Sequence, residues 1–200
     1  MLDASWHILT KQRTGQSKMS EGPSRQRRQI LQFGVALGLG ALPLSSLVHA
    51  AVSGERRLAF YNLHTGESLA TTYWADGRYI PSSAAEIDFI FRDFRTGDVK
   101  SIDFRLLDLL HDLRKTMESD EAFHVISGFR SPKTNKMLTQ KSNAVAKKSL
   151  HMLGMAADVR LPGRALDDLR QAALSLKLGG VGYYPKPNFI HVDVGRVRFW

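Results

Sequence analysis

Within residues 149–160, SLHMLGMAADVR, a histidine (His151), a glycine (Gly154) and an aspartate (Asp158) interrupt an otherwise apolar run. A His and an Asp seven residues apart can serve one centre only if the chain reverses between them. A metal ligand lies about 2 Å from its ion. Seven residues of helix separate the two Cα atoms by about 10 Å, and seven of strand by about 23 Å. A turn is therefore required, and Gly154 is the residue able to form it. Ala156 and Ala157 add little bulk, and Asp158 is expected to project from the strand that follows. The stretch reads as ligand, turn, ligand.

A third group comes from residues 188–195, NFIHVDVG. In an extended chain His191 and Asp193 share one face, while Ile190, Val192 and Val194 take the other. The chain has no cysteine, which excludes disulfides, thiolate zinc sites and Cys nucleophiles, so a metal must be held by His and carboxylates. His151, Asp158 and His191 would give three protein ligands and leave a fourth position for water. That is the open arrangement of a catalytic zinc, one ion per chain, with water made acidic enough to attack a carbonyl.

The N-terminal quarter has a different character. Residues 1–23 are polar and unpatterned, and the arginine pair Arg27 and Arg28 then precedes an apolar run from Phe33 to about Val48. The run ends in Val48-His49-Ala50, a small-x-small cleavage pattern. It is short of the ~20 apolar residues of a membrane span, so no permanent span is expected after cleavage. The doublet resembles a twin-arginine export signal. Residues 1–50 are thus expected to be a leader and signal peptide, handled by the twin-arginine machinery and removed near Ala50. Residues 51–200 would act in the periplasm. The formal charge of the whole chain is +9, but residues 1–50 hold six Lys/Arg and two Asp/Glu, leaving +5 for residues 51–200. That balance suits an anionic polymer as partner. No nucleic-acid-binding motif occurs, and nucleic acid is not expected as a partner.

Beyond Ala51 the pattern predicts an α+β domain. Residues 56–68 and 68–80 alternate around a His-Thr-Gly-Glu turn as a β-hairpin. Residues 82–92 predict a short helix with Ser82 as its cap. Leu106, Leu109, Leu110, Leu113 and Met117 mark one face of a helix opened by Asp103. Strands are expected at residues 123–126, 159–161, 182–184 and 189–194. Residues 165–176 predict a second amphipathic helix closed by Gly179 and Gly180, and residues 133–138 a single turn.

The motifs SLHMLGMAADV, GVGYYPKPNFIHVDVG and SGFRSPKTN resemble the zinc D-Ala-D-Ala carboxypeptidase and endopeptidase family. Its fold is shared with penicillin-insensitive murein endopeptidases and the hedgehog signalling domain. The likeness extends from about Leu58 to Trp200 and is strongest to an exported, murein endopeptidase K-like branch. It implies a small antiparallel sheet carrying the zinc site, with flanking helices. It also implies hydrolysis of peptide cross-links in peptidoglycan, whose peptide stems would be the partner. By the same resemblance Arg130 binds substrate and steadies the oxyanion, and Ser127 and Ser131 shape the substrate loop. Ser149 would cap or orient the His151 turn.

The chain departs from this pattern where many members carry a general base, two or three residues before the last His ligand. Phe189 and Asn188 stand there. Asp193 is then the candidate base, or else the group that orients a ligand. The competing readings are a catalytically silent zinc module that binds cell-wall peptide, a D,D- or L,D-carboxypeptidase, and a scaffold tethered by residues 33–48. Lys141, Lys147 and Lys148 precede the site and could hold peptide carboxylates. His64, His111 and His124 read as packing or solvent residues.

Overall fold

The computed structural model describes residues 54–142 and 145–200. The expected leader and signal peptide lie outside these residues. Among the described residues no helix is long and apolar enough to cross a membrane.

The hairpin is present as β1 (Arg56–Asn62) and β2 (Ser68–Ala75), extended by β3 (Arg78–Tyr79) across a tight turn. Helix α1 (Pro81–Ile90) begins on Pro81, whose fixed φ suits a first turn. Its N-cap residue is Ile80, with no side-chain cap bond, so Ser82 does not have the capping role expected of it. Helix α2 (Phe104–Thr116) is capped by Asp103, whose carboxylate accepts from the Arg105 backbone N–H. Strand β4 (Phe123–Ser127) leads to α3 (Pro132–Lys141), longer than the single turn expected because Ser131 caps it and Pro132 opens it. Strand β5 (Ala156–Arg160), helix α4 (Leu166–Leu176), β6 (Gly180–Tyr184), β7 (Phe189–Asp193) and β8 (Arg198–Phe199) complete the chain. Lys177, in the left-handed conformation, ends α4, and Gly180 already belongs to β6.

The architecture is α+β, and its sheet is larger than expected: eight strands in the order β3-β2-β1-β4-β5-β7-β6-β8. Most neighbours are antiparallel. Two pairs, β1 with β4 and β6 with β8, are parallel. The first follows from the crossover through α1 and α2, which returns the chain in the direction it left.

One face of the sheet is the core. Leu58 and Phe60 from β1, Phe123 and Val125 from β4, Ala157 and Val159 from β5, Val181 from β6, and Ile190 and Val192 from β7 form one apolar cluster. The leucines at 106, 107, 109, 110 and 113 of α2 pack into it. Helix α2 lies against β1 and α4, and α4 against β6 and β7. Alternation then forces the intervening residues, among them His124, Asp158, Arg160, His191 and Asp193, onto the opposite face. That face carries the polar cluster.

Candidate metal centre

Ser149 caps a single 3₁₀ turn, Leu150–Leu153, by accepting from the His151 backbone N–H, and Gly154 closes the turn at φ 70°. A side chain at Gly154 would meet the backbone oxygen of Ser101, so both conformation and space call for glycine. The chain then enters β5, which pairs with β7 so that Asp158 stands opposite His191. The turn and the register together bring three side chains to one point.

Their facing atoms nearly touch. His151 Nε2 is 3.1 Å from His191 Nδ1, which is 2.9 Å from Asp158 Oδ1; the third separation, His151 Nε2 to Asp158 Oδ1, is 3.2 Å. The other ring nitrogens are committed elsewhere. His151 Nδ1 donates to the Gly128 carbonyl at 2.7 Å, and His191 Nε2 donates to Asp193 Oδ2 at 2.9 Å. These partners assign the outward nitrogens as the protonated ones. Two imidazole lone pairs and one carboxylate oxygen are thus left facing each other. Three acceptors at such distances repel unless a cation sits among them. Tetrahedral ligation at about 2.0 Å puts ligand atoms about 3.3 Å apart, close to the separations present. The donor set fits a divalent metal with mixed N and O ligands.

Burial reinforces the point. His151, Asp158 and His191 are all buried. Burial alone would push the Asp158 carboxyl up, but the imidazoles of His151 and His191, which supply the compensating proton when no cation sits among the three groups, outweigh it and hold Asp158 well below the usual carboxylate range. Burial would likewise lower His191, and in the same cation-free state the two carboxylates that flank its ring, Asp158 and Asp193, raise it instead.

Asp193 is fully buried, and its carboxylate is saturated. It accepts from His191, from the Gly180 and Gly195 backbone N–H groups at 3.2 and 2.8 Å, and from both terminal nitrogens of Arg198 at 3.0 and 2.7 Å. It touches the far side of the His191 ring and is absent from the cavity wall. Of the two roles expected for Asp193, base or orienting group, these contacts favour the second, since its oxygens are occupied and it does not line the cavity. Its contacts are those of a residue that sets the His191 tautomer and orientation.

A cavity of about 480 Å³ opens over the three-residue cluster. Arg130 lines it, with its side chain only 11% exposed. One terminal nitrogen lies 3.5 Å from Asp158 Oδ2 and donates to Ser127 Oγ at 3.3 Å, while the buried Nε has no partner. Burial lowers the Arg130 pKa, against the opposing pull of Asp158. An unsatisfied guanidinium N–H beside the cluster is the one orphaned cationic donor among the described buried side chains. Such a donor is costly to leave unmade, and a small shift of the side chain into the cavity it lines would satisfy it.

Ser131 sits inside the loop that carries Arg130 and does not line the cavity. It is 1% exposed, its hydroxyl caps α3, and its backbone N–H donates to Asp93 Oδ2 at 2.9 Å. Ser127 touches Arg130 but does not line the cavity. Of the three lysines only Lys148 reaches the wall. His64 stacks on Phe94 with ring centroids 3.9 Å apart, away from the site. Asn188 turns into a separate pocket.

Several site residues escaped the sequence reading. Trp200 forms part of the wall, its ring 5.3 Å from that of His191 and its Nε1 donating to the Tyr184 hydroxyl at 2.8 Å. Gly182, paired with His191, permits this: a Cβ there would lie 2.7 Å from the Trp200 ring. Tyr184 is the exception: the sequence leaves Tyr183 and Tyr184 open either to lining a groove or to core packing, and Tyr184 stacks on Phe189 and extends the aromatic wall. Asp93 holds the loop that carries Arg130. No local signal marks Trp200, Gly182 or Asp93; they meet the site only through the fold.

Residues 50–200 match the model of the peptidase M15_2 family, described as Peptidoglycan L,D-endopeptidase MepK. Peptidoglycan L,D-endopeptidase MepK of Escherichia coli (strain K12) is 42% identical over 183 residues, covering 91% of this chain and 100% of the relative. The protein of the same name from Shigella flexneri gives the same figures. Probable peptidoglycan L,D-endopeptidase MepK of Haemophilus influenzae is 38% identical over 176 residues, 88% of this chain and 95% of the relative. With a structural cluster suited to a metal and a match that spans the whole described domain, the chain belongs to this family of metal-dependent peptidases.

Proposed function

We propose that this chain is a zinc-dependent peptidoglycan endopeptidase that cuts L,D peptide bonds in cross-linked stems. The observation that carries the reading is the convergence of three acceptor atoms, from His151, Asp158 and His191, beneath an open cavity whose wall includes Arg130, a guanidinium with one N–H still unpartnered. The two histidines and Asp158 would hold the ion. Zinc, when bound, polarises a carbonyl and lowers the pKa of water. The choice of zinc rests on the N and O donor set and on the family. The L,D bond is that named for the relatives.

The chain's own residues do the rest. Gly128 and Asp193 fix the ring orientations of His151 and His191 through their outer nitrogens, so the donor atoms are preorganised. Arg130 directs its free N–H toward the oxygen of the scissile amide, where charge grows as the carbonyl is attacked. In a half-closed, partly desolvated site such a donor contributes about 3 kcal/mol. Ser127 holds one guanidinium nitrogen and so limits how far Arg130 swings. Trp200, Tyr184 and Phe189 provide a flat apolar wall against which a peptide can lie.

The reading includes export. The Arg27–Arg28 doublet and the apolar run to Val48 support a twin-arginine signal cleaved near Ala50, leaving the domain in the periplasm beside its substrate. The family match that begins at residue 50 supports the same boundary.

Incubation of residues 51–200 with cross-linked muropeptides, followed by mass spectrometry, tests the activity. Monomers whose masses correspond to L,D cleavage are expected, and their formation should stop with a chelator. Dimers that survive the metal-loaded protein would sink the endopeptidase reading and favour a silent wall-binding module.

A further inference from the structure

A second, smaller pocket of about 250 Å³ lies on the same sheet face, walled by His124, Arg160 and Arg164 among others. It adjoins the metal cavity. Arg160 is two residues beyond Asp158 on β5 and on the same face, which places it about 7 Å along the strand. Asn188 lines this pocket and its neighbour Phe189 lines the metal cavity. An extended peptide leaving the cluster along β5 would reach Arg160 within about two residues.

The pocket is cationic and lacks a carboxylate partner. His124 and Arg160 are directly paired across β4 and β5, and Arg160 Nε donates to His124 Nδ1 at 3.4 Å. The terminal nitrogens of Arg160 have no partner among the described residues. Arg164 is anchored by a bond from one terminal nitrogen to the Glu118 backbone carbonyl at 2.7 Å, which satisfies a donor but leaves its charge unneutralised. Arg56, Arg92, Arg105, Arg130 and Arg198 each meet an Asp or Glu; Arg160 and Arg164 meet none. Glu121 is the one acidic group that acts on His124, and its influence is smaller than that of burial and Arg160, which together keep the imidazole neutral. Two arginines lining one concavity, neither paired with a carboxylate, suit a planar oxyanion.

We propose that Arg160, Arg164 and His124 form a carboxylate subsite that holds a free carboxylate of the peptide about two residues from the amide at the metal cluster. The proposal rests on the peptidase reading. It adds a substrate requirement, that the preferred cross-linked peptide carries an ionised carboxylate on that side of the scissile bond. Amidation of that group would remove both the charge and the bidentate acceptor.

Two synthetic cross-linked peptide dimers, one with free carboxylates and one with carboxamides, test this against wild type, Arg160→Gln, Arg160→Lys and Arg164→Gln. Wild type is expected to show a KM about tenfold lower for the free-carboxylate dimer, the loss of one charge-assisted bidentate contact. Arg160→Gln should raise KM for that dimer about tenfold, change kcat far less, and leave the carboxamide dimer nearly unaffected. Arg160→Lys should recover part of the difference, and Arg164→Gln should show a smaller loss of the same kind. Equal losses on both dimers, or no preference in wild type, would overturn the subsite. If wild type cleaves neither dimer, the peptidase reading fails by itself. The subsite is then judged by amide shifts of His124 and Arg160 on titration with each dimer: shifts from the carboxylate form alone uphold it, and their absence overturns it.

Discussion

Asp193→Asn separates orienting a ligand from moving a proton. The native carboxylate accepts five bonds, one of them from His191 Nε2 at 2.9 Å and two from Arg198. An asparagine can keep its oxygen toward Gly180 and Gly195, which turns its NH₂ group toward His191 and Arg198. Donor then faces donor. The His191 ring relieves this by moving its proton to Nδ1, the atom that faces His151 and Asp158. A metal must displace that proton before it binds. Loss of an outer hydrogen bond of this kind weakens metal affinity by about 10- to 100-fold, or about 1.4 to 2.7 kcal/mol. Arg198 is about one-third exposed, so solvent screens its lost partner and the fold itself should lose less than a fully buried pair would. The assay is zinc affinity by chelator competition, with kcat measured at saturating zinc. Weaker zinc with substantial recovery of kcat at saturation is expected. Zinc affinity within twofold of wild type, together with a kcat lost by orders of magnitude at saturation, would refute the argument and return Asp193 to the role of base.

Arg130→Gln should lower kcat by about 10² to 10³-fold while zinc stays bound with near-native affinity, read by steady-state kinetics and competition on the same preparation. Gly154→Ala combines left-handed strain with a clash on the Ser101 backbone. It should lower stability by about 2 kcal/mol or more in urea unfolding and reduce zinc affinity in parallel, because the His151 turn shifts. Asp93 is buried. Burial would raise its carboxyl, but bonds from Thr134, Ser131 and Arg95 outweigh that and depress it. Its stabilising effect is therefore complete above the unfolded value of about 3.9 and is lost as pH falls through the lower folded value. Asp93→Asn should cost about 1 to 2 kcal/mol at pH 7 and nearly nothing at the acid end, measured by denaturant unfolding across pH.

The parts of the fold that are legible in the sequence are those with a local period. The leucine face of α2, the alternation of β1 and β7, and the need for a turn at Gly154 all follow from spacing that one element imposes on its own side chains. Cap chemistry is less secure. Ser82 is not the cap of α1 because Pro81, with its φ already set for a helix, takes the first helical position and leaves Ile80 as the N-cap. The two-residue strands β3 and β8 carry no period at all. Yet β8 brings Trp200 to the cavity and Arg198 to Asp193. The choice between the two expected roles of Asp193 is illegible in the sequence for a related reason. Face-sharing with His191 is local and visible, whereas saturation by Arg198, Gly180 and Gly195 depends on β6 and β8 folding around it.

The central claim is that His151, Asp158 and His191 hold one catalytic metal per chain. Zinc titration of metal-free protein, with muropeptide hydrolysis followed at each addition, tests it most directly. Activity should rise linearly and stop at one equivalent, and His151→Ala should remain inactive at the same zinc concentrations while keeping its fold by circular dichroism. Hydrolysis that persists without metal, or that survives in His151→Ala, would contradict the account.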